Sequence, residues 1–437
     1  MTRLLLTIIT IVFSTVSSFA ALRFNGTNLT PVAIETTTAT GIEAVYVVNT
    51  TVGLNVVYTA STSTSIVDVG TFGMYGAVQT EPVDQANISR NGKEVIISNI
   101  KSNSGYAFSE NGRTTYYWIA DYSKFPYEIT AINIESEQDC DRTFLSTEGS
   151  APALNYYSIS GRAYEIDRNI TLTYTTLIPD TEEVRYSSIE KNVNLSHIDG
   201  TFSVEAPLCD TYFTLSGDRF LKAWGMEHEV SSEIFMTHSV KAITSATQTA
   251  RDSSNEIKVE ATLGGSAPAE IHFKAAVSDA AVFNQWQIAR DEDFKDIIIQ
   301  MSDLDFSYSF TEMGTTFVRL MVADASGQCE YYGETYTITI GESFLLCPNA
   351  FSPGASEGVN DEWKVSYKSI VKFECYIFNK WGEKMAEFHD PSQGWDGKHR
   401  GKLVPTGVYY YVIKATGSDG INYNLSGDIN IVRFTNR

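Results

Sequence analysis

Sequence features typical of enzymes are scarce in this 437-residue chain. It has no P-loop, no dinucleotide-binding glycine fingerprint, no Gly-x-Ser-x-Gly elbow and no HExxH motif, which are the local patterns that hold a phosphate, a nucleophile or a zinc ion. Patterns of a long amphipathic helix are missing as well, whereas 24 Tyr and 23 Phe with abundant Thr, Val and Ile favour strands. We therefore predict an all-β protein that is not an enzyme and that needs no cofactor or metal ion.

Positive charge is also scarce. The chain has 32 Lys and Arg against 53 Asp and Glu, a net charge of −21. An acidic chain repels polyanions, which excludes nucleic acid as a partner. From Ser343 to the end, however, eleven Lys and Arg accompany ten Asp and Glu. This change in charge indicates that the C-terminal segment is a separate unit.

Long apolar runs are absent apart from one at the N-terminus, where Leu4 to Phe13 follow a single charge at Arg3. Small residues close this stretch at Ala20, as in a secretory signal peptide cleaved after that residue. The alternative is a membrane anchor, but the run has only about half of the ~20 apolar residues that span a bilayer. We expect a mature chain outside the cytoplasm with no transmembrane segment.

Cysteine is rare, with five residues and no CxxC pair, so neither a zinc site nor a dithiol redox site is indicated. A location outside the cytoplasm permits disulfides. We expect two bridges, Cys140–Cys209 within one β domain and Cys347–Cys375 within the last one. Cys329 would then be free, or it would replace one of the others as a partner.

Short strands separated by turn residues fill the rest of the chain, and Asn-Gly pairs at 91–92 and 111–112 predict β-hairpins. The length exceeds what one core can hold. The predicted fold is a string of about four immunoglobulin-like β-sandwich domains after a cleaved signal peptide. The expected boundaries are residues 1–20 for the signal peptide, 21–137 for an immunoglobulin-like sandwich, 138–247 for a second sandwich with the disulfide, 248–342 for a third sandwich and 343–437 for a C-terminal sandwich.

The third of these sandwiches has Trp286 on a central strand, followed by the strand TTFVRLMVAD. This order resembles polycystic-kidney-disease-type (PKD) immunoglobulin-like modules, which implies a role in spacing or in weak binding of carbohydrate or protein. Alternation along the strand places Val318, Leu320 and Val322 on one face and the residues between them on the other.

The C-terminal segment contains six short blocks in order: PNAFSP, GVND, IFNKWG, GWDGKHRG, VPTGVYYYVI and GDINIVR. These blocks resemble the gliding-motility-associated C-terminal domain, the type B sorting domain of cargo of the bacterial type IX secretion system. The Asn-Gly-Asp-Gly run often found in that family is replaced by residues 354–358. The residues that match its motifs are Pro348, Asn349, Phe351, Pro353, Asn360, Asp361, Phe378, Asn379, Trp381, Gly382, Trp395, Asp396, Gly397, Gly407, Tyr409, Tyr410, Gly427 and Arg433.

The resemblance implies a route for the protein. The signal peptide would take the chain into the periplasm, and the type IX translocon would then bind the C-terminal domain and move the protein across the outer membrane. A receptor could bind an exposed aromatic face that includes Tyr409 and Tyr411, although both could instead pack inside the sandwich. We expect Trp381 and Trp395 in the core or packed on turns.

Three further clusters of polar residues are only weak candidates for a functional site. Glu227 and Glu229 flank His228, but alternation along a strand places both carboxylates opposite the histidine, which favours a surface patch. The other two clusters resemble calcium loops in composition only, and solvated turns are the preferred interpretation. They are the acidic run of residues 290–296 and the loop with Glu357, Asn360 and Asp361.

The leading hypothesis is a secreted or cell-surface protein whose N-terminal modules bind an extracellular glycan or protein, or serve as surface structure. Two alternatives stay open. One is a hydrolase of extracellular polysaccharide with paired carboxylates in the segment between Cys140 and Cys209. The other is an accessory component of the secretion or gliding apparatus.

Overall fold

The computed structural model describes residues 22–251, 253–259, 261–355 and 358–432. The predicted signal peptide and Arg433 lie outside these residues. Strand accounts for 51% and helix for 4% of the described residues, which confirms the all-β prediction. Within the described ranges, no helix is long and apolar enough to cross a bilayer.

The chain forms two compact units. The first reaches residue 174 and includes residues 190–205 and 211–235, whereas the second contains residues 175–189, 206–210 and everything from 236 onward. Short 3₁₀ helices lie at Thr38–Thr40, Ala77–Gln79, Gln85–Asn87 and Tyr122–Lys124.

Nineteen strands and one α-helix lie between residues 23 and 231, a range that the structure describes throughout. They are β1 (Arg23–Asn25), β2 (Val32–Ile34), β3 (Ala44–Val48), β4 (Asn55–Thr59), β5 (Val67–Phe72), β6 (Glu81–Pro82), β7 (Ile88–Asn91), β8 (Glu94–Ile97), β9 (Ser104–Glu110), β10 (Arg113–Asp121), β11 (Ala131–Ile134), β12 (Arg142–Glu148), β13 (Leu154–Tyr157), β14 (Ala163–Ile166), β15 (Ile170–Asp180), β16 (Arg185–Leu195), β17 (Phe202–Glu205), β18 (Thr214–Ser216), α1 (Arg219–Ala223) and β19 (Glu229–Ser231).

The remaining strands of the described chain follow in the same way. They are β20 (Ala242–Gln248), β21 (Gly264–Gly265), β22 (Ala269–Val277), β23 (Phe283–Ala289), β24 (Ile297–Met301), β25 (Asp305–Phe310), β26 (Gly314–Ala323), β27 (Glu330–Tyr332), β28 (Tyr336–Ile340), β29 (Phe344–Leu346), β30 (Ala350–Phe351), β31 (Ser366–Lys368), β32 (Ile370–Phe378), β33 (Lys384–Phe388), β34 (Lys398–His399), β35 (Lys402–Leu403), β36 (Gly407–Gly417) and β37 (Asn422–Ile431).

The first unit is organised around a six-stranded sheet of order β2-β3-β10-β9-β5-β6, which lies beside a four-stranded sheet of order β1-β4-β8-β7. Alternate residues of β10 belong to two different cores. Tyr117 and Ile119 pack towards the four-stranded sheet, and Trp118 and Ala120 pack on the other side. The six-stranded sheet is therefore covered on both faces, which explains its nearly continuous apolar strands.

One of the two predicted Asn-Gly hairpins has both central residues at positive φ. Asn111 (φ 51°) and Gly112 (φ 77°) join β9 to β10, as a type I′ turn requires. At the other pair only Gly92 has a positive φ, although β7 and β8 still form an antiparallel pair.

The second core of the first unit continues into the strands that follow residue 131. It joins Trp118 to Leu145, Leu172 and Leu215, which lie in the sheets β11-β12-β17 and β16-β15-β18-β19. The expected boundary between residues 137 and 138 stays a prediction, but this hydrophobic core extends across it.

The third predicted sandwich consists of the sheet β20-β22-β25 and a sheet of order β21-β28-β26-β23-β24 with β27 added to β26. Trp286 is buried, and the centroid of its ring lies 5.4 Å from that of Phe273 and 5.8 Å from that of Phe306. The predicted alternation along β26 is confirmed, because the side chains of one predicted face are fully buried and those between them are not. The buried ones are Val318, Leu320 and Val322.

The C-terminal segment has a five-stranded sheet of order β30-β37-β36-β32-β33 and two small two-stranded sheets, β29-β31 and β34-β35. Its core contains Trp363, Cys375, Ile377, Trp395 and Ile413. Every pairing within the large sheet is antiparallel except that of β30 with β37, which is parallel.

The preferred cysteine pairing predicted from the sequence is wrong, and the alternative in which Cys329 replaces one of the other partners is confirmed. Cys140 forms its disulfide with Cys329, and Cys209 is a buried free thiol. Cys347 and Cys375 are free thiols as well, so the second predicted bridge is not formed. A disulfide needs Cβ atoms within about 4 Å, and neither sequence separation nor membership of one predicted domain determines that distance.

Candidate functional site in the C-terminal domain

The PNAFSP block forms the entry into the C-terminal domain. The carbonyl of Pro348 accepts a hydrogen bond from Trp363 Nε1 at 2.6 Å. The carbonyl of Asn349 accepts from both the backbone nitrogen and Nδ2 of Asn430, at 2.9 and 3.1 Å. These bonds hold β30 against the last strand, β37, and thereby join the beginning of the domain to its end.

Two distant motif blocks meet at Gly397. Its φ is +71°, and a Cβ atom there would lie 2.9 Å from Cγ of Pro353 and 3.3 Å from the ring of Phe351. The ring of Phe351 also packs against that of Trp395, with centroids 5.6 Å apart. The glycine is required for both its backbone conformation and its contact. The prediction that Trp395 is a core residue is confirmed, since it is 3% exposed.

The GVND block closes a loop through hydrogen bonds to Asp361 and Asn360. Asp361 accepts hydrogen bonds from the backbone nitrogens of Gly354 (2.9 Å) and Gly358 (2.6 Å). Asn360 has a positive φ of 53°, and its carbonyl accepts from Ser352. The described residues contain no cluster of metal ligands, and Glu357 lies outside them. The solvated turn stays a prediction.

The IFNKWG block forms the hairpin between β32 and β33. Asn379 Oδ1 accepts from the backbone nitrogens of Trp381 and Glu383, both at 3.0 Å, and Gly382 has a φ of 79°. Phe378 is half-buried. Trp381 is 79% exposed, so the expectation that it packs in the core or on a turn is wrong. The hairpin turn is held by Asn379, which leaves the indole directed to solvent.

The GWDGKHRG block forms a turn stabilised by Asp396 and Lys398. Asp396 accepts from the backbone nitrogen of Lys398 at 3.0 Å and from its Nζ at 2.7 Å. Burial acts to raise the pKa of Asp396, but these hydrogen bonds outweigh it and lower the pKa below its ordinary value. The carbonyl of Lys398 in turn accepts from Trp395 Nε1 at 2.9 Å.

The central strand β36 begins at Gly407 and carries the motif tyrosines. Tyr409 is buried, packs on Trp395 and donates to the carbonyl of Pro405. Tyr411 packs on Trp363 with centroids 5.2 Å apart and lies across Gly427, where a Cβ would be 2.7 Å from its hydroxyl. The predicted receptor face of Tyr409 and Tyr411 is therefore wrong, and the packed alternative is confirmed.

The opposite face of the same strand is exposed and apolar. Val408, Tyr410 and Val412 alternate with the buried residues and are 43%, 46% and 40% exposed. Sequence reasoning missed this face because both sets of alternate residues in VYYYVI are apolar or aromatic, so the pattern does not indicate which set is buried.

The preceding module contacts the C-terminal domain within the second unit. Asn255 Nδ2 donates to the carbonyls of Val365 (2.7 Å) and Pro391 (2.8 Å). The fully buried Ser369 donates from its backbone nitrogen to Ser266 Oγ at 2.8 Å, and its own Oγ accepts from the backbone nitrogen of Ala267 at 3.2 Å. This polar contact means that the C-terminal domain is anchored beyond its covalent link.

The remaining candidate clusters form turns and surface contacts. Glu227 and Glu229 both accept from Ser216 Oγ, at 2.9 and 3.4 Å, whereas His228 Nε2 lies 3.1 Å from the carbonyl of Ile129. Both carboxylates are exposed. In the run 290–296, Asp291 caps the turn by accepting from two backbone nitrogens, at 3.0 and 2.6 Å. These bonds hold the pKa of that carboxyl below its ordinary range.

Comparison with protein families identifies two domains. Residues 345–429 match the CHU_C type IX secretion signal domain, and residues 132–232 match a fibronectin type III domain. The chain thus carries a type IX sorting domain, which is bound by the type IX secretion machinery and directs the protein to secretion or to the outer cell surface. The resemblance inferred from the six sequence blocks is confirmed.

Several solved structures show a distant similarity to the chain. A tetra-tandem repeat from the extending region of a large adhesion protein is 11% identical, with 88% of this chain and 97% of that chain covered and a TM-score of 0.22. Dimeric latent PorU from Porphyromonas gingivalis is 12% identical over 73% of this chain and 35% of that chain, with a TM-score of 0.15. The fibronectin(III)-like modules of Clostridium thermocellum CbhA are 9% identical, with 43% of this chain and 95% of that chain covered and a TM-score of 0.18. These scores support no functional argument, and no curated protein matches the chain.

Proposed function

We propose that the modules before the sorting domain act outside the cell without catalysis, by binding an extracellular glycan or protein. The observation that carries this proposal is an exposed apolar loop between β5 and β6 of the first unit. Met74, Tyr75 and Val78 of this loop are 56%, 66% and 89% exposed. Exposed aromatic and aliphatic side chains on a fixed loop suit recognition of a sugar ring or a protein surface.

The backbone of this loop is held in place. Ala77 donates from its backbone nitrogen to the carbonyl of Ile159 at 2.8 Å. A Cβ atom at Gly76 would lie 2.4 Å from the backbone of Gly161, so only glycine fits there. The apolar side chains are therefore presented on a rigid support, which lowers the entropy cost of binding.

The hydrolase alternative receives less support from the carboxylates between Cys140 and Cys209. Glu165 lies 2.6 Å from His197 Nδ1, and Glu205 pairs with Lys191. A glycosidase needs two carboxyl groups about 5–9 Å apart in a site that raises the pKa of one of them. Carboxylates that lie at the surface in contact with a basic side chain are poor candidates for that role.

The test is binding of the purified full-length protein to a panel of glycans and matrix proteins. For a ligand that the wild-type protein binds, the double variant Tyr75→Ala/Val78→Ser should reduce the affinity by about tenfold or more. Ile66→Ser is the matched control, since Ile66 is 77% exposed and precedes β5 whereas the loop follows it. Wild-type protein that binds nothing on the panel, or a double variant that binds like wild type, would overturn the proposal.

A further inference from the structure

We propose that the type IX machinery binds the sorting domain at one continuous apolar surface, through an acidic protein segment that also carries apolar residues. The surface consists of Val408, Tyr410 and Val412 on the exposed face of β36 together with Trp381 and Leu403, and is called the sorting face below. The inference rests on the export role of the C-terminal domain and adds where on that domain its partner binds.

The exposed side of the five-stranded sheet has an unusual composition at its centre. An antiparallel sheet with one buried face normally presents polar residues on the other. Here Tyr410 of β36 lies opposite Phe378 of β32, and Val412 lies opposite Tyr376. Four side chains of two neighbouring strands thus form an apolar block on the solvent side.

Polar residues bound this block on the side of β37. The partners of Val408, Tyr410 and Val412 on that strand are Asn430, Asp428 and Ser426. The neighbouring strand follows the usual rule, so the apolar side chains are specific to the centre of the sheet. An apolar patch with a polar rim is characteristic of a protein-binding site.

The block continues into a groove of about 460 Å³ beside the β32–β33 hairpin. Val408 belongs to both the sheet face and the groove, and Trp381 and Leu403 are further lining residues. Leu403 is 48% exposed and Trp381 is 79% exposed. Tryptophan is among the residue types that contribute most to binding energy at protein interfaces.

Two lysines at the groove determine the charge expected of the partner. Lys380 and Lys402 line it together with a single carboxylate, Glu383, so the lining is net basic. Neither lysine forms an ion pair with a carboxylate among the described residues. The Lys380 ammonium lies 4.5 Å from the centroid of the Trp381 ring. Cations next to exposed apolar side chains favour an acidic segment with aromatic or aliphatic residues. Since the secretion machinery engages this domain, we assign that segment to the machinery.

The experiment uses the full-length protein expressed in a type IX-secreting bacterium. The triple variant Lys380→Glu/Trp381→Ala/Lys402→Glu should reduce the surface-exposed and secreted fraction by about tenfold or more. The retained protein should accumulate in the periplasm with an unchanged unfolding midpoint. The control is Lys372→Glu/Ile421→Ala, which changes an exposed lysine and a 51% exposed isoleucine of the same domain outside the sorting face, and it should be exported normally.

A photoreactive benzoyl-phenylalanine at position 381 identifies the partner in living cells. Cross-links to an outer-membrane protein of the export machinery would support the proposal. Cross-links only to lipopolysaccharide or to a second copy of this chain would overturn it, as would normal export of the triple variant.

Deletion of residues 343–437 separates failure of this inference from failure of the sorting role. If the deletion blocks export while the triple variant is exported, only the location of the sorting face is wrong. If the truncated protein is still exported, the sorting role itself fails and this inference fails with it.

Discussion

Arg168 and Asp218 form an ion pair that is completely buried, with Nε 2.8 Å from Oδ2. Every oxygen of the carboxylate is in use: Oδ2 also accepts from the Tyr122 hydroxyl at 3.0 Å, and Oδ1 caps α1 by accepting from the nitrogens of Phe220 and Leu221. Through Tyr122 the pair joins the fibronectin type III segment to the 3₁₀ helix that follows β10.

Removal of one partner should be costly because the other charge stays buried. We expect Asp218→Asn to lower the free energy of unfolding of this region by about 3–5 kcal/mol. Amide hydrogen exchange of α1 and β15 in the full-length protein measures this loss locally. The control is Glu205→Gln, which breaks an exposed pair with Lys191 and should cost less than about 1 kcal/mol. Equal costs for the two variants would contradict the prediction.

Asp121 should make the stability of the first unit depend on acid pH. Burial acts to raise the pKa of this carboxyl, but hydrogen bonds from Ser123, Thr51 and Ser102 outweigh it and lower the pKa below its ordinary value. A lowered folded-state pKa adds stability above the unfolded-state pKa of about 3.9, and that stability is lost as the pH falls through the folded-state value.

The variant Asp121→Asn tests this contribution. At pH 7 it should cost about 1–3 kcal/mol, because a neutral amide replaces a carboxylate that accepts several hydrogen bonds. The difference from wild type should shrink below about pH 4. Urea unfolding at several pH values measures it, with exposed Asp68→Asn as the control. A difference that is constant from pH 7 to acid would refute the assignment to Asp121.

Gly397→Ala should separate backbone strain from steric contact in the sorting domain. The new Cβ would meet Pro353 at 2.9 Å in addition to adopting a φ of +71°. Gly401 has a similar φ of +79°, and a Cβ atom there would meet nothing within 4 Å, so Gly401→Ala bears only the backbone cost of about 1–2 kcal/mol. We expect Gly397→Ala to cost at least about 1 kcal/mol more, measured as unfolding of the sorting domain. Similar costs would mean that the contact with Pro353 relaxes freely.

Alternation along a strand predicts two faces, but it does not by itself indicate which face is buried. In β26 the two predicted faces are present, and the structure shows that the one with Val318 and Leu320 is buried whereas Arg319 lies on the other. In β36 the tyrosines of both sets are equally suited to a core, so the sequence could not show that Tyr409 is buried and Tyr410 exposed. Which set is buried depends on two tryptophans outside the strand. Trp395 packs against Tyr409 and Trp363 packs against Tyr411.

The tertiary contacts of Trp381 and of the cysteines could not be predicted from the sequence either. A tryptophan next to glycine suggested a packed turn, yet the hairpin is fixed by Asn379 and leaves the indole directed to solvent. The disulfide was expected within one predicted domain, whereas the bonded partner of Cys140 is Cys329. The order of the motif blocks, in contrast, was sufficient to identify the sorting domain.

The corrected cysteine assignment predicts a definite labelling pattern. Burial, together with Asp279 and Asp210, raises the pKa of the Cys209 thiol, and burial raises the pKa of Cys347 as well. Because the thiolate is the reactive form, both should resist iodoacetamide in the native protein at pH 8 and react after unfolding. A non-reducing peptide map should link Cys140 to Cys329. Recovery of a Cys140–Cys209 peptide would instead restore the pairing expected from sequence.

Asn255 is expected to couple the sorting domain to the module before it. Its side-chain amide donates to two carbonyls of the sorting domain. The backbone carbonyl of Asn255 accepts a hydrogen bond from the Tyr367 backbone nitrogen at 3.1 Å. Asn255→Ala removes both donors and should destabilise the sorting domain by about 1–3 kcal/mol. Asn255→Asp should cost more, because a carboxylate would then face the same two carbonyls.

Hydrogen exchange distinguishes this coupling from a general loss of stability. In Asn255→Ala the Tyr367 amide should exchange faster than in wild type, since the segment that carries its acceptor is no longer held. Asn424→Ala, at an exposed position on β37, is the control and should leave that amide unchanged. If Asn255→Ala alters neither the unfolding midpoint nor the Tyr367 exchange rate, the sorting domain is held to its neighbour by the Ser266 and Ser369 hydrogen bonds without help from Asn255.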